Sequence, residues 1–329
     1  MAGRLLLVGY WVLLAALLSA VLVVLSILLG PGWVVLGAMI LLGWMFARYV
    51  LAGRGKPEPP TAWASRNRHP DLWAVVDELA AAADTRSPDE IRFVPEVSVR
   101  VVEEASVFGS APGFRKLMIG LPLLAGLTVS ELRAVVGHEL GHFSHDQAKF
   151  SVLEYRAKLA AERTANRPVG VQKVLFMPYA LLYMLLTRST SHAHELAADE
   201  VAVRGAGKEA TRSALGKMFA LTHIFERAKS AYIREVPYHL RTHDLLSRFH
   251  EYLAGPQGAI LLAELSQRRL TAETVPRFDP HPAPKTRLAA LDTLPEQDTA
   301  TADERTSWEL LTAPYATLPQ LERQLYEDL

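Results

Sequence analysis

Apolar residues run from position 5 to position 47 without one Asp, Glu, Lys or Arg among them, bounded by Arg4 and Arg48. Gly30-Pro31-Gly32 divides the run into 5–29 and 33–50. At ~1.5 Å rise per residue each piece can cross a hydrocarbon core of ~30 Å, so the pattern predicts a helical transmembrane hairpin over 1–52. A cleaved signal peptide would have a shorter apolar region followed by polar sequence, whereas here a second apolar stretch follows at once. The turn is uncharged, while Arg48, Arg54, Lys56, Arg66 and Arg68 follow the second stretch. Positive charge gathers on the cytoplasmic side of spans, which puts both ends of a multi-pass chain, and everything after Val50, on the cytoplasmic face of the cell membrane.

Gly55-Lys56-Pro57-Glu58-Pro59-Pro60 suits neither a helix nor tight packing, so 53–69 is expected to be a stiff linker and 70–329 the folded domain. Leu72, Val75, Val76 and Leu79 recur at helical spacing, ahead of a polar turn at 84–89. Alternating β-branched residues over 91–94 and 97–102, then 116–121 after Pro112-Gly113, predict a small antiparallel sheet with a hairpin at that Pro-Gly. Beyond Thr128 the spacing is mostly helical, with a polar, acidic tail from about residue 296. The expected fold class is therefore mainly α with a small antiparallel β-sheet, an α+β arrangement. A third apolar run, 171–187, holds Lys173 and Pro178 and is followed by Arg188.

The chain of 329 residues has no cysteine, which excludes a disulfide framework, a thiol nucleophile and thiolate metal sites. Lys and Arg total 35 against 35 Asp and Glu, and no long basic run occurs, so nucleic acid is not an expected partner.

The chemistry is concentrated in His138-Glu139-Leu140-Gly141-His142, an H-E-x-x-H sequence inside a helical pattern that begins with a capping-box signal at Thr128 and Glu131. Residues four apart share a helical face, so both imidazoles can meet one ion. Glu139 is turned ~100° from His138, beside the ion, where it can take a proton from water the metal activates. Imidazoles without thiolates favour zinc, with other divalent metals left open.

A catalytic zinc site needs a third protein ligand and one open position. His145 lies ~10 Å along the helix axis from His138, which suits a supporting or surface role better than ligation. Other candidates are His192, His194 and Glu195, in a helical segment where Glu195 and Asp199 share a face. That spacing suits a carboxylate ligand followed by a carboxylate that orients an imidazole.

H-E-x-x-H, then Glu195-Leu196-Ala197-Ala198-Asp199, then His281-Pro282 through Arg287, resembles the membrane-anchored gluzincin peptidases of the HtpX heat-shock protease and CAAX prenyl endoprotease type. The resemblance covers about residues 90–291. It implies a zincin-like domain with one Zn2+ per chain held by His138, His142 and Glu195, Glu139 as general base, and Asp199 orienting a ligand. It also implies that His281 and Arg287 lie near the site, where either could stabilise an oxyanion. Where the family carries an Asn-containing segment before the edge strand, this chain has Glu104-Ala105-Ser106-Val107-Phe108-Gly109. Asp146 falls close to an acidic position of the family, and two spans before the catalytic helix are fewer than the prenyl endoprotease has.

If 171–187 crossed the bilayer once, Glu195 would be parted from the two histidines, so that run is expected to be re-entrant, interfacial or packed in protein. The expected activity is zinc-dependent endopeptidase action on membrane or misfolded polypeptides, at the lipid bilayer. The alternative is a non-catalytic membrane scaffold or sensor with a zinc-binding core. An intramembrane protease fits less well, because Glu131, Arg133, His145 and Asp146 bracket the motif and are costly at bilayer depth. Strand 116–121 is the expected place for an extended substrate to pair.

Overall fold

The computed structural model describes residues 62–104, 113–144, 192–236, 244–271, 282–295 and 302–312, with scattered positions between 19 and 37 and between 318 and 323. The chain divides into two compact units, Met1–Pro59 with Leu153–Thr187, and Pro60–Val152 with Arg188–Leu329. In the first unit the helix containing 26–28 ends at Gly30, whose φ of 85° is left-handed and whose N–H reaches the Ser26 carbonyl at 3.2 Å. Most of 5–29 and 33–50, and all of 171–187, lie outside the described residues. Among the described residues no helix is long and apolar enough to cross a membrane.

The second unit is built on a four-stranded sheet in the order β1-β2-β4-β3, with β1 Ala62–Ala64, β2 Glu90–Val94, β3 Val99–Glu104 and β4 Phe114–Gly120. β1 pairs antiparallel with β2, and β3 pairs antiparallel with β4. β2 and β4 run parallel, Glu90 opposite Lys116 and Phe93 opposite Ile119, so the sheet is mixed rather than antiparallel. The reason is that β4 turns back into the space between β2 and β3. Gly120 permits this: a Cβ there would stand 2.0 Å from the Glu96 carbonyl, in the turn joining β2 to β3. The placing of β4 also corrects the expected substrate strand, because β4 is hydrogen-bonded on both sides. Of the two strands flanking it, β3 is the one at an outer edge.

Rows Ala62, Phe93, Ile119, Val99 and Ala64, Ile91, Leu117, Val101 form one buried face of the sheet. Helices cover it. α1 (Pro70–Ala82) begins with Pro at its first position and buries Leu72, Trp73, Val76 and Leu79, an i, i+3, i+4 stripe. α2 (Leu121–Gly126) leads into α3 (Val129–Gly141), which packs on α1, β3 and the long α5 (Lys208–Glu235). α4 (192–206) precedes α5, and α6 (Leu245–Ala254), α7 (Pro256–Leu270) and α8 (Pro284–Thr293) complete the shell.

Two boundaries differ from expectation. β1 falls inside the expected linker, where short Ala side chains fit beneath the sheet. The polar tail is also part of the core: Trp308, Leu310, Leu311, Leu318 and Leu321 are buried. Its charged surface residues hide that apolar payload in the composition.

Candidate metal centre

Four unpaired N–H groups open every helix, and α3 satisfies its own with care. Thr128 Oγ1 accepts from Glu131 N at 3.2 Å and Glu131 Oε2 accepts from Thr128 N at 2.8 Å, the capping box read from the sequence. Val129 N and Ser130 N donate to the carbonyls of Arg305 and Asp303, at 2.9 and 3.2 Å. Glu131 is buried, and Lys217 Nζ and Ser213 Oγ of α5 reach its carboxylate. The helix carrying the H-E-x-x-H residues is thus fixed at its start by a segment from the far end of the chain.

Close approach of α4 comes from small residues. A Cβ at Gly141 would lie 3.1 Å from Ala198 Cα and 3.1 Å from Val201 Cβ, and one at Gly137 would lie 3.4 Å from Ala202 Cα. Gly137 and Gly141 thus face Ala198 and Ala202, two pairs spaced by four. Their contact carries Glu195 and Asp199 onto the histidine face. Gly141→Ala should force the helices apart by a few tenths of an ångström and weaken metal binding several-fold with little loss of helix content. Chelator competition alongside circular dichroism measures both, and unchanged affinity would mean that the seam does not set the site.

His138, His142 and Glu195 each offer a ligand atom within 4.8 Å of the others, and they form the single such group among the described residues. The Glu195 carboxylate stands 3.5 Å from His138 Nε2 and 3.7 Å from His142 Nε2. Ligands ~2.0–2.1 Å from a tetrahedral zinc ion stand about 3.3 Å apart, so this set, whose donor atoms lie within 4.8 Å of one another, would draw together on an ion, and its two imidazoles and one carboxylate are donors that zinc takes. The two rings meet edge to face, with centroids 4.8 Å apart. Glu195 is only 3 % exposed, which an uncompensated carboxylate would not tolerate cheaply.

Behind the ligands, Asp199 Oδ1 lies 2.9 Å from His138 Nδ1. A carboxylate there accepts the Nδ1 proton and leaves the Nε2 lone pair for an ion. Arg287 of α8 grips the same carboxylate with both arms, Nε donating to Oδ2 at 2.8 Å and Nη2 to Oδ1. Burial opposes charge on Asp199, but Arg287 and His138 outweigh it and hold the carboxyl below its usual range. Burial likewise opposes charge on His138, yet hydrogen bonds to Asp199 and Glu195 raise that imidazole to about 9.

His138, His142 and Glu195 come together, with Asp199 and Arg287 behind them. Arg287 stands near the site, with its Nε and Nη2 bonded to the Asp199 carboxylate. His281, His145 and Asp146 lie outside the described residues. His192 and His194 stand in the first turn of α4 and are not members of the ligand group. Gly137, Gly141 and the 302–307 segment are site-shaping features that sequence reasoning missed. Only the Gly-x-x-x-Gly and Ala-x-x-x-Ala spacings gave a sign of the first two.

A family model described as Peptidase family M48 matches residues 66–294. A Protease HtpX homolog of Thermoplasma volcanium is 25% identical over 269 residues, covering 77% of this chain and 79% of its own length. A Protease HtpX homolog of Pyrobaculum calidifontis is 28% identical over 252 residues, covering 70% and 71%. Protease HtpX homolog 1 of Streptomyces coelicolor is 30% identical over 166 residues, covering 45% of this chain and 53% of its own. No solved structure matches.

Proposed function

The chain belongs to peptidase family M48, and on that premise we propose that it is a membrane-anchored, zinc-dependent endopeptidase acting on membrane or misfolded proteins. The observation that carries this reading is the convergence of two imidazoles and one buried carboxylate, backed by Asp199 on the far nitrogen of His138. His138, His142 and Glu195 hold the ion, one per chain. Zinc bound there supplies Lewis acidity, which activates water and polarises a peptide carbonyl.

The remaining steps belong to the protein. Glu139 follows His138 on the helix and takes a proton from the attacking water as its oxygen bonds to the scissile carbon. The same carboxyl returns the proton to the departing amine as the C–N bond breaks, so one water is consumed and no proton is gained or lost. Asp199 keeps His138 in the tautomer that ligates, and Arg287 keeps Asp199 charged and aligned. An extended substrate pairs along β3, the edge strand packed on α3, since main-chain bonds hold a peptide without reading its sequence.

Anchoring rests on the uncharged run between Arg4 and Arg48, with the catalytic unit on the cytoplasmic side. Both ligand-bearing helices belong to one compact unit, while Leu153–Thr187 belongs to the unit of the N-terminal runs. Purified protein assayed on denatured casein tests the activity: wild type cleaves, and Glu139→Gln keeps its metal without cleaving.

A further inference from the structure

The metal helix ends at Gly141, and His142, the second ligand, is its C-terminal cap. A ligand at the cap has no following helical turn to hold it, and the last carbonyls of a helix lack partners within it. What fixes the chain just past His142 is therefore part of what fixes the ligand.

Thr85, after α1, places its Oγ1 2.8 Å from the Phe143 carbonyl oxygen. Arg115 Nη1 lies 2.9 Å from the same Oγ1, and the Arg115 guanidinium sits 4.9 Å from the centre of the Phe143 ring. Guanidinium nitrogens only donate, so the Thr85 hydroxyl accepts from Arg115 and its single proton is directed to Phe143. Arg115 is itself immobilised: it is buried, its Nε and Nη2 donate to Glu103 Oε2 at 3.0 and 2.9 Å, and Nη1 also donates to the Arg86 carbonyl at 2.7 Å. Its backbone N–H and carbonyl are both tied to Asp89, at 2.7 and 2.8 Å. Glu103 belongs to β3, so the edge strand and the end of the metal helix hang on one guanidinium.

We infer that Thr85 and Arg115 are positioning residues that hold His142 in place for the metal by latching Phe143. The inference rests on the metal reading of His138, His142 and Glu195, and its test reads the metal rather than hydrolysis.

Zinc affinity is measured by competition with a chelator, and ligand geometry by the visible absorption of the cobalt(II)-loaded protein. Thr85→Val, which keeps the volume but loses the hydroxyl, weakens zinc binding by roughly tenfold, the low end for groups behind a ligand, and alters the cobalt bands. Thr85→Ser restores both. Arg115→Lys cannot reproduce the forked donors and shifts both readouts in the same direction as Thr85→Val. Leu262→Ala, in the core on α7, lowers stability and leaves both unchanged. Thr85→Val with wild-type affinity and spectrum would overturn the inference, as would Leu262→Ala weakening zinc equally. Wild-type protein that takes up neither metal would instead bring down the metal reading, and this inference with it.

Discussion

Glu139→Gln should retain one zinc per chain while its turnover of unfolded protein falls by about 10³-fold, within the range a positioned general base contributes. The amide keeps the shape of the carboxylate and removes only its capacity to accept the proton of the attacking water. Ligand geometry is untouched, because Glu139 is not among the three residues whose donor atoms converge. Turnover numbers from a casein assay, with metal content measured on the same samples, provide the check. Loss of metal together with activity would make Glu139 a structural residue, and full activity would remove it from the chemistry.

Arg287→Leu should destabilise the folded unit by about 3–5 kcal/mol, the cost of leaving a buried charge without its partner. Asp199 is 1 % exposed and both of its oxygens are held by the guanidinium. Without Arg287 the buried carboxylate either keeps only its bond to His138 or takes up a proton. In the second case it can no longer accept the His138 Nδ1 proton, and zinc affinity should fall by roughly 10–100-fold. Denaturant unfolding and chelator competition read the two consequences separately. Adding Asp199→Asn to Arg287→Leu should recover part of the stability but not the affinity, because an amide neither demands a counter-charge nor orients the imidazole as a carboxylate does. Equal stability in wild type and Arg287→Leu would show that the pair carries no such burden.

The site was legible where chemistry and helical period coincide. His138 and His142 lie four apart on one face, and Glu195 and Asp199 repeat that spacing on the partner helix, so each pair could be read from its own segment. The capping box at Thr128 and Glu131 was equally local, and it marked the start of α3 correctly. What escaped was long-range. Arg287 carries no sign in its own segment that its partner is Asp199. Strand direction escaped for a similar reason, since β2, β3 and β4 read alike whether β4 lies at the edge or in the middle. The tail beyond 296 reads as polar because its buried residues, such as Trp308 and Leu310, are few among charged neighbours. Just ahead of them, the carbonyls of Asp303 and Arg305 strap the first turn of α3, beyond the residues matched by the family model.

One coordination sphere underlies the whole account, and zinc-edge anomalous diffraction from crystals of the purified protein examines it directly. A single peak is expected about 2.0–2.2 Å from His138 Nε2, His142 Nε2 and a Glu195 carboxylate oxygen, with Asp199 on His138 Nδ1. A peak elsewhere, or a Glu195 side chain turned away while another group completes the sphere, would contradict the assignment.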